Sequence, residues 1–189
     1  MNDRTGDRVS DAGNVVLSES ALRAIDRAIA KYPPDQKQSA VMAALTIAQD
    51  EKGWLSPDVL DVVARYLGMP PVAVYEVASF YAMYNQQPTG KFKVTICTNL
   101  PCALQGANAA AEHLKARLGV DFGGTTADGR FTLKEGECMG ACGDAPVVLV
   151  NNKRMCSWMH SDKLDDLLSE LGAAADRGEG APNGPGHSP

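Results

Sequence analysis

The sequence has 189 residues, of which 44% are hydrophobic and 22% charged, a composition typical of a globular protein with its own core. Lys and Arg number 18 against 23 Asp and Glu, so the formal net charge is −5. This acidic balance, with no basic stripe along the chain, excludes the usual classes of nucleic-acid-binding protein. The longest apolar run, 145–150, is far shorter than the roughly 18 residues of a membrane-spanning helix, and we therefore expect no direct membrane insertion.

Both ends of the chain differ in composition from its middle. Residues 1–14 are polar, carry three aspartates and lack a hydrophobic segment, which is unlike a secretory signal or a transit peptide. Residues 173–189 are rich in Gly and Pro and contain no large apolar residue. We therefore predict a disordered arm at 1–14, a flexible tail at 173–189 and a folded part at 15–172 whose character changes near residue 88.

Residues 15–87 have the pattern of a helical bundle. Four short helices are predicted. Apolar residues three or four positions apart mark one face of the first, third and fourth, with Tyr32 on the first face and Tyr81 on the last. The second helix is predicted over 35–52. In the third, Ser56 is a good N-cap and Gly68 a good C-terminal end, because serine accepts a helical N–H and glycine adopts the left-handed conformation.

Residues 88–172 alternate between strand and helix patterns. Strands are predicted over 91–98, 131–134, 146–150 and 153–158, with a tight turn at Asn151-Asn152. A single helix is predicted over 101–118, with Leu104 on its inward face, and a last helix begins at the cap Ser161 and ends at Gly172. This order predicts an α+β protein in which an N-terminal helical bundle is followed by a thioredoxin-like α/β domain.

Five cysteines, with no export signal, are expected in a reducing compartment, where clustered thiols more often bind metal than form disulfides. Cys97 and Cys102 enclose four residues, where a predicted strand meets a helix. Cys138 and Cys142 enclose three residues, in a loop that precedes a strand. Four thiolates suit either a tetrahedral Zn²⁺ ion or an all-cysteine iron–sulfur cluster.

The residues around the two pairs favour the cluster. Glycines at 136, 140 and 143 allow peptide N–H groups to approach an anionic centre closely. Zinc ribbons usually have cysteine pairs two residues apart, and neither pair here has that gap. Structural zinc and unliganded core thiols remain the alternatives. The fifth cysteine, Cys156, is predicted to be a small buried hydrophobic residue.

The stretches GKFKVTICTNLPCALQGA and EGECMGACGDAPVVLVNN resemble the NuoE-type subunit of respiratory complex I, a small subunit with one [2Fe–2S] cluster. The two cysteine gaps match that family, as do the Pro before the second Cys and the Ala-Pro that follows the fourth. The resemblance covers residues 15–172. It implies that Cys97, Cys102, Cys138 and Cys142 are the cluster ligands.

The same resemblance implies the setting in which the chain acts. It would be an electron-transfer subunit of NADH:quinone oxidoreductase that contains no catalytic residue and no visible NADH or flavin site. FMN and NADH would bind a NuoF-type partner subunit, and other hydrophilic-arm subunits would complete the assembly. The implied location is the bacterial cytoplasm, peripheral to the inner membrane through the complex.

Three other functions are considered beside this one. The module could serve an NAD-linked hydrogenase or formate dehydrogenase, whose related subunits have the same motifs. It could also be a stand-alone ferredoxin or a structural zinc-binding interaction module. The aromatic residues Phe80, Tyr81 and Tyr84 are predicted to lie in the core, with a docking surface as the alternative.

Overall fold

The computed structural model describes residues 15–179, so the predicted arm at 1–14 and the last ten residues of the predicted tail lie outside the described residues. The chain divides into two compact units, one of residues 15–51 and 55–86, the other of residues 52–54 and 87–179. The helices are α1 (Glu19–Ile29), α2 (Val41–Lys52), α3 (Pro57–Leu67), α4 (Pro71–Phe80), α5 (Leu100–Leu104), α6 (Ala107–Leu118) and α7 (Ser161–Asp176). The strands are β1 (Phe92–Cys97), β2 (Phe131–Gly136), β3 (Val148–Val150) and β4 (Arg154–Cys156).

The N-terminal unit packs α1 to α4 around a core of small and aliphatic side chains. Its fully buried members include Ile25, Ala40, Leu45, Ala48, Val63 and Val74. The buried side chain of Gln49 pairs with backbone at both of its polar atoms. The Gln49 side chain donates to the Met83 carbonyl at 3.1 Å and accepts from the Asn85 N–H at 2.6 Å. These bonds fix the segment after α4 against α2.

Local signals set the ends of these helices. The side chain of Ser56 accepts the Val59 N–H at 3.3 Å, and Gly68 ends α3 with a φ of 68°, as predicted. Ser18 caps α1 in the same way, through the Ala21 N–H at 3.2 Å. Its own hydroxyl donates to the Glu51 carboxylate at 2.6 Å, which ties the start of α1 to α2.

Three details of the helical unit differ from prediction. The first helix ends at Ile29, so Tyr32 lies beyond it and is 42% exposed. The second begins as a 3₁₀ turn over Lys37–Ala40 and becomes α-helical only at Val41. Phe80 is 80% exposed at the end of α4 and Tyr81 has left the helix, whereas Tyr84 is buried. The aromatic residues therefore do not form one core cluster.

The C-terminal unit is built on a four-stranded sheet in the order β2-β1-β3-β4. β1 and β2 are parallel, in a register that pairs Phe92 with Phe131 and Cys97 with Gly136. β3 runs antiparallel to both β1 and β4. The turn between β3 and β4 has Asn151 and Asn152 at φ 50° and 58°, the left-handed conformation that asparagine tolerates.

One face of the sheet packs against α6 and α7. Period-two alternation places Phe92, Val94 and Ile96 of β1 on that face, where they meet Leu114 of α6 and Leu164 of α7. The same core includes Leu133, Val148 and Val150 from the other strands. This packing holds the ends of β1 and β2, from which the cysteine loops leave.

The helix predicted over 101–118 is broken into α5 and α6, so that prediction is wrong. Gly106 takes a φ of 92°, which only glycine adopts at low cost, and the chain turns there. The turn places Leu104 outside, 77% exposed, rather than on the inward face. Ala107, Ala110, Ala111 and Leu114 of α6 form the buried face instead.

The last helix also differs from prediction at both ends. His160 occupies the cap position, and Ser161 is the first helical residue. The helix passes through Gly172 and ends at Asp176, because Ala173 to Ala175 favour helix and Ala175 is buried. The first residues of the predicted tail are therefore helical. Among residues 15–179, no helix is both long and apolar enough to cross a bilayer.

Candidate metal centre

The parallel pairing of β1 and β2 brings the two cysteine loops to the same end of the sheet. Cys97 is the last residue of β1 and lies opposite Gly136, the last residue of β2. Cys138 follows two residues later, and Cys142 opens the short 3₁₀ turn Cys142–Asp144. Cys102 lies on α5, directly after β1. Strand register, rather than sequence proximity, therefore determines that the two loops meet.

The first pair, Cys97 and Cys102, is buried. Their exposed fractions are 1% and 2%, and they pack with Ala107 and Ala145 in a small apolar cluster. Burial raises the pKa of the Cys102 thiol to about 11, and a hydrogen bond with Cys97 acts in the same direction. Both thiols are thus shielded from water, and Cys102 retains its proton at neutral pH in the absence of a metal ion.

The second pair, Cys138 and Cys142, lies nearer the surface. The two Sγ atoms are 3.9 Å apart, with Cys138 exposed and Cys142 half-buried. The Gly140 N–H donates to the Cys138 Sγ at 3.4 Å, and Gly140 has a φ of 73° that favours glycine. The hydrogen bond with Cys138 raises the pKa of the Cys142 thiol, and burial adds to that effect.

The four thiols form two pairs within one electrostatic neighbourhood, since Cys138 and Cys142 both influence the pKa of Cys102. Within residues 15–179, no three His, Cys, Asp or Glu side chains converge on one point as ligands of a single ion. Two thiols for each of two irons is the ligand count of an all-cysteine [2Fe–2S] cluster. The donor set fits such a cluster, and binding it requires the thiols to release their protons.

Side-chain hydrogen bonds join the two loops. The Thr98 hydroxyl donates to the Glu135 carboxylate at 2.7 Å, and the Thr98 N–H donates to the Gly136 carbonyl at 3.2 Å. Asn99 approaches Glu137 more loosely, at 3.4 Å. Sequence analysis missed these residues, because only the register of β1 and β2 brings them together. Each lies close in sequence to a cysteine of its loop, which was the available signal.

Gly136, the last residue of β2, lies so close to its neighbours that a side chain would collide with them. A methyl group at its Cα would lie 2.7 Å from Thr95 Cγ2, 2.8 Å from Met139 Cε and 3.3 Å from the Ile96 carbonyl oxygen. The close approach, rather than an unusual φ, is what requires glycine here. The role predicted for this glycine was to bring N–H groups toward an anionic centre, and the structure adds a steric reason for glycine at this position.

The loop that holds Cys142 is fastened on its other side as well. The carbonyl of Asp144 accepts the Trp158 N–H at 2.7 Å, and its carboxylate accepts the Ser157 hydroxyl at 3.1 Å. Cys97 is anchored through its N–H to the Val147 carbonyl at 3.1 Å. Both cysteine loops are therefore connected to the segments that flank β3 and β4.

Cys156 lies on β4 and packs against the main sheet core, separately from the small cluster of Cys97 and Cys102. It is half-buried, so it is less enclosed than predicted. Burial raises the pKa of its thiol, while the nearby Arg154 guanidinium opposes that rise. Arg154 in turn pairs with Glu170 on α7.

Comparison with known proteins agrees with this geometry. Residues 25–172 match the thioredoxin-like [2Fe–2S] ferredoxin family, and the chain belongs to that family. Its similar sequences include components of one respiratory enzyme. The chain is 41% identical to an NADH-quinone oxidoreductase subunit of Rickettsia conorii, over 84% of this chain and 95% of that protein. It is 38% identical to NADH-quinone oxidoreductase subunit 2 of Thermus thermophilus, over 79% of this chain and 82% of that protein.

A solved structure supports the fold. The NAD+-reducing [NiFe]-hydrogenase in its air-oxidized state aligns with a TM-score of 0.63 over 75% of this chain. The match covers 24% of the hydrogenase chain, so this chain spans about a quarter of that protein's length. At 24% identity the likeness shows a common fold and nothing more specific.

Proposed function

We propose that this protein is the electron-transfer subunit of an NADH:quinone oxidoreductase, with one [2Fe–2S] cluster held by Cys97, Cys102, Cys138 and Cys142. The observation that carries the proposal is the meeting of two thiol pairs at the end of the parallel β1–β2 pair. Relatives that are about 40% identical over most of their length carry the name of that enzyme's subunits.

In this proposal each local pair of thiolates holds one iron. A bound [2Fe–2S] cluster supplies one-electron transfer. The chain's own residues would set its surroundings. The first pair, Cys97 and Cys102, is buried away from water. In the second pair, the Gly140 N–H donates to the Cys138 sulfur and would stabilise negative charge there. Such a donor raises the reduction potential relative to the same ligands without it.

The chain would act as a subunit rather than as a complete enzyme. We propose that FMN and NADH bind a NuoF-type partner, and that this subunit docks on it with its cluster near the flavin. The N-terminal helical bundle and other hydrophilic-arm subunits would complete that assembly on the cytoplasmic side of the inner membrane. The names of the relatives, which describe subunits of an NADH-quinone oxidoreductase, support membership of such a complex.

The first test is anaerobic purification of the full chain, followed by iron, zinc and acid-labile sulfide analysis. We expect two irons and two sulfides per chain, as [2Fe–2S] stoichiometry requires, and a rhombic EPR signal after dithionite reduction. One zinc per chain with no sulfide would overturn the proposal in favour of a structural zinc module.

The second test identifies the partner. Affinity purification from the native cell under anaerobic conditions should recover a flavin-containing subunit together with quinone-reductase subunits. Recovery of the flavin subunit with hydrogenase or formate dehydrogenase subunits would retain the electron-transfer role and reassign the assembly. Recovery of the cluster-loaded chain as a free monomer would favour a stand-alone ferredoxin.

A further inference from the structure

We propose that the Thr98–Glu135 hydrogen bond is a brace that fixes the separation of the two cysteine pairs, which makes Thr98 and Glu135 positioning residues. The proposal rests on the cluster-binding function above and concerns side chains outside the ligand set. Thr98 directly follows Cys97, and Glu135 lies three residues before Cys138. The bond between them spans 37 residues of sequence at 2.7 Å.

The brace restrains the two cysteine loops because of where it lies at the end of the β1–β2 ladder. Cys97 and Gly136 are the last residue pair of the parallel β1–β2 ladder, and beyond them the two chains diverge into the cysteine loops. The Thr98 N–H to Gly136 carbonyl bond, at 3.2 Å, continues the ladder by one step. The Thr98 hydroxyl adds the side-chain bond across the loops at this point. It therefore restrains the spacing of the loops immediately before they reach the sulfur atoms.

The chemistry of the pair suits this role. A hydroxyl donor to a carboxylate forms a short, charge-assisted bond, stronger than one between neutral groups. The neighbouring contact between Asn99 and Glu137 is longer, at 3.4 Å, and restrains the loops less. The absence of a side chain at Gly136 lets β2 approach Thr95 closely, which holds Glu135 within reach of Thr98.

Glu135 could influence a bound cluster in two ways: through its hydrogen bond to Thr98, which positions the loops, and through its negative charge. Different variants distinguish these two effects. Thr98→Val retains the shape of the side chain and the Glu135 charge but removes the hydrogen bond. Glu135→Gln removes the charge but retains an oxygen that accepts from Thr98. Thr98→Ser retains the hydroxyl. Asp166→Asn, at an exposed position on α7, controls for the loss of one acidic group elsewhere.

The experiment measures the rate at which a chelator removes iron from the purified full-length holoprotein and the EPR line shape after reduction, and for Glu135→Gln also the reduction potential. We expect Thr98→Val to lose iron about five-fold faster, as loss of one net hydrogen bond implies, with a shifted rhombic line shape. Thr98→Ser and Asp166→Asn should match the wild type in both. Glu135→Gln offers Thr98 a neutral and therefore weaker acceptor, so its iron-loss rate should lie between those of the wild type and Thr98→Val. Its reduction potential should rise, because a negative charge is lost.

The outcomes distinguish the brace from the function on which it rests. A wild-type chain without iron and sulfide would overturn the proposed function itself. If the wild type contains the cluster, and Thr98→Val has the same iron-loss rate and EPR line shape as the wild type, the brace alone would be overturned. Thr98→Ser is the control for a folding defect, because it changes the residue at this position but retains the hydroxyl. If Thr98→Ser also lost iron at the faster rate with a native circular dichroism spectrum, the hydroxyl would be irrelevant and the brace would be rejected.

Discussion

The two units of the chain are held together in different ways. The N-terminal unit has serine caps on α1 and α3 and an apolar core in which the buried Gln49 side chain pairs with backbone. The C-terminal unit contains all five cysteines, a buried lysine, and loops joined by side-chain hydrogen bonds. The core of the first unit is built mainly from apolar packing. The second unit buries a lysine and two thiols, and binding of the proposed cluster would add stability there.

The thiols give the sharpest way to test this difference. Cys102→Ala and Cys142→Ala should each abolish stable cluster binding, since an iron with an open coordination position is readily lost. Iron and sulfide analysis and the visible absorption spectrum measure the loss. Full cluster content in either variant would remove that cysteine from the ligand set.

Cys156→Ala is the matched control in the same unit. Its side chain packs against the sheet core rather than with the other thiols, so the spectrum should be normal. The packing penalty should be at most about 1–2 kcal/mol, the range of an ordinary single substitution. Loss of the cluster's visible absorption in Cys156→Ala would show that the fifth thiol belongs to the cluster-binding site.

The buried lysine gives the next largest effect. Lys93 is 2% exposed, and burial lowers its pKa from 10.5 to about 8, with repulsion from Lys134 adding to the shift. Between those two pH values the folded chain binds fewer protons than the unfolded chain, so stability rises with pH across that window. At pH 7 the buried charge is unfavourable, and Lys93→Met should stabilise the fold by up to about 3 kcal/mol.

Urea unfolding of the anaerobic holoprotein at pH 7 and at pH 10 measures this effect. The gain from Lys93→Met should shrink at the higher pH, because there the folded wild type is largely deprotonated at Lys93. Lys134→Met, on the neighbouring strand, should give a smaller gain. An equal gain at both pH values would show that packing, rather than charge, explains the change.

The smallest expected change in stability is in the helical unit, at the N-cap of α3. Ser56→Ala removes the acceptor of the Val59 N–H and should destabilise the protein by about 1 kcal/mol, typical of a lost N-cap. Ser56→Asp, which retains an acceptor, should restore most of that loss. Thermal unfolding followed by circular dichroism measures both. Iron content should be unchanged, because this cap is distant in sequence from the cysteine loops.

The sequence predicted best those features that depend on neighbouring residues. Ser56 and Gly68 identified both ends of α3, and paired asparagines identified the β3–β4 turn, because caps and turns need only local conformational preferences. The break at Gly106 was missed because a single glycine is tolerated inside a helical pattern, and only its φ of 92° shows that the chain turns there. Thr98 and Glu135 were missed because strand register, which single-sequence patterns do not specify, brings them together.

The pairing of Cys97 with Gly136 has a consequence for synthesis of the chain. Parallel strands require a crossover connection, and here it comprises α5, α6 and the segment before β2. A nascent chain that has emerged only as far as α6 therefore has two thiols and no partner loop. The four cysteines proposed as ligands come together only where β1 and β2 pair, so this set is complete only after β2 has joined the sheet. Insertion of the proposed cluster would therefore have to follow the pairing of β1 with β2.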